Sequence, residues 1–398
     1  MSDIPLSTSV SLTNIVALTD QLLEVALLAR ASDLHLEPQC QSMQLRMRVD
    51  GLMQLMKSPF EKLPASIADA IVVRIKLLCE MDISESRRPQ DGSFQWQLND
   101  QYVDIRCSSL TGHWGEKLVL RLQWQQQNID LSKQGLSFEQ IKIVHTQLSK
   151  PQGLILVTGP TGSGKTMFLY SCLKKIQTPH LNIVSAEDPV EVALGDVHQV
   201  AVNEAIDLSY SQILRALLRQ DPDVIMLGEL RDFDSADVAL KAAQTGHLLL
   251  TSMHTSSLSE AIHRCHGLGV DMLALSYCLS LIINQRLVRR LCSQCKSPMS
   301  KLQIESFASR EWLDAAASYE FCFGAINPCL PVGCDECQGG YNGRFGVFDL
   351  LVMDHSKRDS VACRRVQELE CGAGLRQQGL WRVISGDTSI AEVNRVTW

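Results

Sequence analysis

The 398 residues are enough for two or three domains with cores of their own, and 45% hydrophobic with 20% charged residues is ordinary soluble globular composition. A formal net charge of -7 argues against a nucleic-acid machine that works through a broadly basic surface. No apolar run has the length of a membrane span, and Met1-Ser2-Asp3-Ile4-Pro5 lacks the basic and apolar regions of a signal peptide, so the expected location is the cytosol.

In chain order, Ile15, Leu18, Leu22, Val25 and Leu28 fall at helical spacing between Asn14 and Arg30. Strand-like runs near Met43–Val49, a helix over Leu63–Cys79, and strands near Phe94–Leu98, Tyr102–Cys107 and Lys117–Leu122 predict a small α+β domain, residues 1–128. The polar stretch Gln123–Asn128 and then Ser132-Lys133-Gln134-Gly135 predict a linker, placed at 129–136. From Ser137 strands and helices alternate, the pattern of a parallel α/β sheet, and this second domain is placed at 137–398. Within it Met272–Ile283, interrupted by Ser276 and Ser280, reads as a buried helix. Residues 291–344 break the rhythm as an inserted subdomain, and 347–398 read as a helical tail.

The phosphate chemistry is concentrated at Gly159-Pro160-Thr161-Gly162-Ser163-Gly164-Lys165-Thr166. The apolar run Leu154-Ile155-Leu156-Val157 precedes it and Met167-Phe168-Leu169-Tyr170 follows, so a strand, a glycine-rich loop and a helix start come in the order a G-x-x-x-x-G-K-[ST] loop requires. Glycines let the backbone wrap phosphates with its N–H groups and the helix N-terminus. Lys165 would reach the β- and γ-phosphates and the Thr166 hydroxyl would ligate Mg²⁺, so the chain is expected to bind a nucleoside triphosphate.

Three further strands end in polar groups. Asn182-Ile183-Val184-Ser185 leads into Ala186-Glu187-Asp188-Pro189-Val190-Glu191, where a carboxylate beside the phosphates could orient or deprotonate water; the same residues also suit a solvated acidic turn. Val224-Ile225-Met226-Leu227 closes on Gly228-Glu229 and Arg231-Asp232, a Walker-B arrangement with Glu in place of the commoner Asp as the Mg²⁺ support. His247 and His254 bracket the strand Leu248-Leu249-Leu250, either as phosphate-sensing groups or as histidines satisfied within the core.

Of fourteen cysteines, four form two C-x-x-C knuckles, Cys292-Ser293-Gln294-Cys295 and Cys334-Asp335-Glu336-Cys337. Four thiolates make a closed tetrahedral site suited to a structural Zn²⁺; a redox pair is the rival reading, and Cys322 and Cys329 between the pairs are not taken as ligands.

Together these blocks resemble the type II secretion and type IV pilus assembly ATPases. Glu187-Asp188-Pro189-Val190-Glu191 looks like their Asp box, Gly228-Glu229-Leu230-Arg231-Asp232 after Leu218-Arg219-Gln220-Asp221-Pro222-Asp223 like their Walker B, and Thr245-Gly246-His247 like their His box. Ala31-Ser32-Asp33-Leu34-His35-Leu36-Glu37-Pro38, Arg88-Pro89-Gln90-Asp91-Gly92 and Gly115-Glu116-Lys117-Leu118-Val119-Leu120-Arg121 extend the likeness from about Gln21 to the C-terminus.

The resemblance implies an α/β protein with an N-terminal PAS-like α+β domain and a RecA-like P-loop ATPase domain that carries a zinc subdomain at 291–344 and a helical tail. It further implies a homo-hexameric ATP-driven motor for pilins or pseudopilins. The motor would be cytoplasmic and peripheral to the inner membrane, held there by a platform protein and docking proteins, with no direct contact with nucleic acid. Glu191 is then the general base and Glu229 the Mg²⁺ support. Arg106 and Arg121 resemble arginines that reach the γ-phosphate, though the residues alone would suit strand-edge surface charge; Arg215, Arg219 and Arg231 resemble ATP or interface contacts. The tetracysteine site tilts the reading towards assembly, since retraction motors of the family generally lack it. Members usually carry a further N-terminal docking domain, whereas only a short stretch precedes the first matching helix here, so the docking mode stays open. A related motor for DNA uptake or conjugation, and a nucleotide-binding scaffold with little turnover, are the alternatives.

Overall fold

A computed structural model describes residues 14–57, 59–99, 101–124, 129–307, 309–323, 326–369 and 374–397. The chain forms two compact units, Met1–Gln127 and Asn128–Trp398.

In the first unit, Asn14 caps helix α1 (Ile15–Leu28) by accepting from Ala17 N–H. Strands β1 (Ala31–Gln39), β2 (Ser42–Val49), β3 (Leu52–Leu55) and β4 (Lys62–Pro64) lead to α2 (Ala65–Leu78), and β5 (Gln90–Leu98), β6 (Gln101–Gly112) and β7 (Gly115–Trp124) complete the sheet. Its order is β3-β2-β1-β7-β6-β5 with β4 on β2, and its pairings are antiparallel. Leu22 and Leu23 of α1 and Ile71 and Ile75 of α2 share a core with Leu34, Leu36, Leu45, Ile105 and Leu120 of the sheet. Sequence periodicity did not mark β1, because only Leu34 and Leu36 stand out among the polar residues of Asp33–Glu37. Lys76 is buried to 1% exposure in α2, and its Nζ donates to Glu116 Oε1 at 2.9 Å and to the Glu85 carbonyl at 2.8 Å.

The second unit opens with α3 (Phe138–Leu148), whose Ser137 and Gln140 form a capping box. The run β8 (Gly153–Thr158), α4 (Lys165–Ile176), β9 (Ile183–Glu187), β10 (His198–Ala201), α5 (Tyr210–Leu217), β11 (Val224–Leu227), α6 (Phe233–Gln244), β12 (Leu248–Met253), α7 (Leu258–Gly267), α8 (Met272–Cys278) and β13 (Leu279–Leu291) follows. Then come β14 (Ser297–Pro298), α9 (Lys301–Phe307), α10 (Arg310–Phe323), β15 (Cys329–Leu330), β16 (Tyr341–Val352), α11 (His355–Ala362), α12 (Gly374–Ile384) and α13 (Ile390–Thr397). The sheet runs β10-β9-β11-β12-β8-β13-β16, parallel up to β13, with β16 antiparallel at the edge. β8, β9, β11 and β12 are buried along their whole length, as strands with helices on both faces must be.

Three expectations change. The helix expected over Met272–Ile283 stops at Cys278, and the next residues enter β13, where Leu281, Ile282 and Ile283 pair with β8. A short fully apolar run fits a buried strand or a buried helix, and only pairing decides. The tail expected to be helical from Val347 begins as strand, since β16 runs to Val352 against β13, and helix starts at His355. The stretch 129–136, expected as a linker, buries Ile129, Leu131 and Leu136 in the core of the second unit. Gly346 N–H donates to the Gln134 carbonyl at 2.7 Å, and a Cβ on Gly135 would lie 2.5 Å from the Gly346 carbonyl oxygen, so glycine is required there. Among the described residues no helix is long and apolar enough to cross a membrane.

Candidate functional site

β8 delivers the phosphate loop. Gly159, Gly162 and Gly164 have φ of 150°, 77° and 88°, which glycine adopts without the clash other residues suffer. Gly164 is the N-cap of α4 and has no side chain to accept from the first turn, so the N–H groups there are left for an anion. Thr166 stands in that first turn. Lys165 folds over its own loop: Nζ donates to the Gly159 carbonyl at 2.7 Å and the Pro160 carbonyl at 3.1 Å. Burial pushes its ammonium down to about 8 in spite of the Glu229 carboxylate nearby.

Neighbouring strand ends bring charge to this loop. Lys165 Nζ lies 3.3 Å from His254 Nδ1, and His254 Nε2 lies 3.2 Å from Glu229 Oε2. A lysine can only donate, so Nδ1 accepts and the ring proton sits on Nε2, directed at Glu229. Burial, then the Lys165 charge, lower the His254 pKa and keep the ring neutral at physiological pH. Arg231 joins Glu229 to Asp188, bonding the first through Nε and the second through Nη1 at 2.9 Å. The turn that carries Glu229 is pinned by Leu230 N–H on the Ser252 carbonyl at 3.0 Å and Ser252 Oγ on the Gly228 carbonyl at 2.7 Å. Lys165, His254, Glu229, Arg231 and Asp188 thus form one connected group.

Other expected residues fall elsewhere. Glu187 is buried to 2% exposure, its carboxylate accepting from Tyr170 Oη, Ser185 Oγ and Gln199 Nε2, so it braces the interior and does not face the loop. Tyr170 Oη also accepts from Glu191 N–H at 3.1 Å, which ties Glu191 to the helix of the phosphate loop. His247 precedes β12 while His254 follows it; the phosphate loop lies at the far end of the adjacent parallel β8, about 23 Å away at strand rise. There its Nδ1 meets the Ala242 carbonyl at 3.0 Å, which corrects the pairing of the two histidines at one site. Arg215 and Arg219 are exposed, and the turn after Arg219 is held by Asn182 just before β9, again at the strand starts, so the chain's own loop does not gather them. In the first unit Arg106 and Arg121 face each other across β6 and β7, and Arg121 Nε stands 3.5 Å from Asp33 Oδ1.

Two neighbours of the loop were not foreseen. β13 pairs with β8 up to Asn284 opposite Thr158, so Gln285 and Arg286 come beside Gly159. Arg286 donates to Asn284 Oδ1 at 3.0 Å and the Ser256 carbonyl at 2.9 Å, and burial lowers its pKa. The polar triplet Asn284-Gln285-Arg286 closing an apolar run was the available signal.

The four knuckle cysteines converge, with all Sγ atoms within 4.8 Å of one another. Cys292–Cys334, Cys295–Cys337 and Cys334–Cys337 Sγ separations are 3.9, 3.7 and 3.6 Å. Gly333 N–H and Cys334 N–H each donate to a cysteine sulfur at 3.3 Å. Cys329 instead turns its thiol to the Asn327 carbonyl, and the Cys322 side chain lies outside what the structure describes.

The family described as Type II/IV secretion system protein matches residues 8–395. The type IV pilus assembly ATPase PilB of Acinetobacter baylyi is 40% identical over 393 residues, covering 96% of this chain and 66% of that protein. The putative type II secretion system protein E of Escherichia coli is 38% identical, with 96% and 76% covered. The chain spans about two thirds of the length of the PilB relatives it matches. Among solved structures, the Legionella pneumophila ATPase DotB aligns with a TM-score of 0.67 at 19% identity over 96% of this chain and 95% of that one. The pilus retraction motor PilT with bound ADP gives 0.61 at 24% over 94% and 96%. Both share the fold.

Proposed function

We propose a function from one premise: this chain belongs to the type II/IV secretion system protein family. It is an ATPase that powers assembly of a type IV pilus or a type II secretion pseudopilus, working as a homo-hexamer in the cytoplasm beneath an inner-membrane platform protein. The observation that carries this reading is the connected group from Lys165 through His254 and Glu229 to Arg231 and Asp188 beside a glycine-rich loop at the start of α4.

When Mg²⁺ and ATP are bound, the metal supplies charge neutralisation at the transferring phosphoryl group. The loop N–H groups hold the phosphates, Lys165 leaves its loop carbonyls for the β- and γ-oxygens, and Thr166 with Glu229 supports the metal. Freed from Lys165, neutral His254 keeps its Nε2 proton on Glu229 and fixes that carboxylate. Glu191, whose backbone N–H is anchored by Tyr170 on the same helix as the loop, takes the proton of the attacking water. Arg106 and Arg121 are assigned, on the family resemblance alone, to γ-phosphate charge, and Arg215 and Arg219, exposed and remote from the chain's own loop, to contacts with a neighbouring copy.

The first unit, an antiparallel sheet covered by two helices, is assigned as PAS-like. The cysteine cluster is assigned to zinc. Four sulfurs at about 2.3 Å from one tetrahedral ion stand about 3.8 Å apart, and the Sγ separations of 3.6 to 3.9 Å support that geometry. A tetracysteine site of this kind favours assembly over retraction.

The test is steady-state ATP hydrolysis by the hexameric fraction, wild type beside Glu191→Gln. Turnover in the wild type that falls by about 100-fold or more in the variant supports a motor with Glu191 as base. Equal turnover in both removes that role from Glu191.

A further inference from the structure

Gln285, beside the phosphate loop, is fully buried at 0% exposure, and neither its Nε2 nor its Oε1 has a hydrogen-bond partner among the described residues. Buried carboxamides are seldom left so, because each unpaired atom has given up water for nothing. Its position is specific. β13 follows β8 to its last residue, so Gln285 meets the loop where the loop begins. Its backbone carbonyl oxygen is 2.6 Å from where a Cβ on Gly159 would stand, and its side-chain Nε2 is 2.9 Å from where a Cβ on Gly164 would stand. A second buried orphan, Ser163 Oγ, belongs to the same loop and lies 2.5 Å from that same Gly159 position.

The loop itself shows what these atoms lack. Lys165 Nζ occupies the Gly159 and Pro160 carbonyls. Its ammonium is desolvated there, and the same ammonium must serve the phosphates if this is the nucleotide site proposed above, on which this inference rests. The Gly159 and Pro160 carbonyls then lose that donor, while Gln285 Nε2, Gln285 Oε1 and Ser163 Oγ are all still without partners.

We propose that Gln285 is a positioning residue for the phosphate loop: its carboxamide takes over the loop hydrogen bonds that Lys165 releases, and pairs with Ser163, when a nucleoside triphosphate is bound. Gln285 does not touch the phosphates. It makes the loop's bound form complete in hydrogen bonds and leaves its free form incomplete, so its whole effect lies in the difference between the two states.

That difference gives an unusual sign to the test. A residue that only packs the core loses stability when changed, with or without ligand. Gln285→Leu keeps the volume and removes two orphaned atoms, so the nucleotide-free chain should melt at the wild-type temperature or above it. Its affinity for a fluorescent ATP analogue should fall about tenfold, the scale of one or two lost hydrogen bonds. Ser163→Ala should weaken the same affinity, and the double variant should be weaker than Gln285→Leu by much less than the product of the two single effects. Analogue affinity of Gln285→Leu within twofold of wild type overturns the proposal. So does a lowered melting temperature with affinity retained, and so does full multiplicativity in the double variant. Lys165→Ala is the control: if wild type and Lys165→Ala fail alike to bind the analogue, the nucleotide site itself is wrong, and the failure is distinguishable from that of Gln285.

Discussion

Lys165 Nζ stands 3.3 Å from His254 Nδ1, a lysine donating to a neutral imidazole 89 positions further along the chain. The contact is possible because β8 and β12 are adjacent and parallel, so the residues after their C-terminal ends arrive at one place. It makes His254 a group of the phosphate site and leaves His247 outside it. Titrating Mg-ATP against the purified protein should show His254→Ala weakening binding by about tenfold, roughly the scale of a lost charge-assisted hydrogen bond, with His247→Ala within twofold of wild type. Equal loss in both would return His247 to the site.

Lys165 also sets a pH dependence. Its folded value, about 8, lies below the ordinary 10.5, so the native state binds fewer protons than the unfolded state between the two. The cost of keeping the ammonium buried is therefore full below pH 8 and gone above 10.5. At pH 7 the nucleotide-free Lys165→Met variant should be more stable than wild type by ~3 kcal/mol, and the gap should close as pH rises through that window. Denaturant melts at pH 7 and pH 10 measure it; a gap independent of pH contradicts the assignment.

Glu392 stabilises at neutral pH where Lys165 destabilises, with the same direction of pH slope. Burial opposes its ionisation, but Arg289 and Arg395 overcome that and hold the carboxyl at about 2, below the ordinary 4.5. The native state again binds fewer protons, so the stabilisation is present above pH 4.5 and is lost as pH falls towards 2. Glu392→Gln should cost about 3 kcal/mol at pH 7 and almost nothing at pH 2, read from urea midpoints at the two pH values.

In the first unit, the buried Lys76 is paired at 2.9 Å with the partly buried Glu116. Lys76→Ala leaves the Glu116 carboxylate without its partner, and such losses cost about 3–5 kcal/mol. Lys76→Met with Glu116→Leu removes both charges and should recover most of that in chemical denaturation. A double variant as unstable as the single would assign the loss to packing.

Metal analysis of the purified chain should find one zinc per chain, absent in Cys334→Ser, with a lowered melting temperature for that variant. Iron in its place would keep the site and change the metal.

The phosphate loop, the acidic strand ends and the cysteine knuckles were legible because their chemistry is local: spacing within eight residues carries the geometry. Leu279–Leu291 was not legible, since an apolar run pairs equally well as strand or packs as helix until a neighbour is present. β1 was missed for a related reason, as its inward side offers only Leu34 and Leu36 besides the small Ala31, among polar residues.

What the sequence determined by itself was therefore the family, the phosphate loop and the kind of side chain at each strand end. What only the tertiary structure decided was which of those side chains meet. Glu187 and Glu191 are four residues apart, yet the first is locked inside by Tyr170, Ser185 and Gln199 while the second meets Tyr170 through its backbone N–H. His247 and His254 are seven apart and sit at opposite ends of one strand. Gln285, 120 positions from Lys165, lies against the loop. A strand advances about 3.3 Å per residue while its neighbours stand about 4.8 Å to the side, so strand order, which no local pattern encodes, outweighs nearness along the chain.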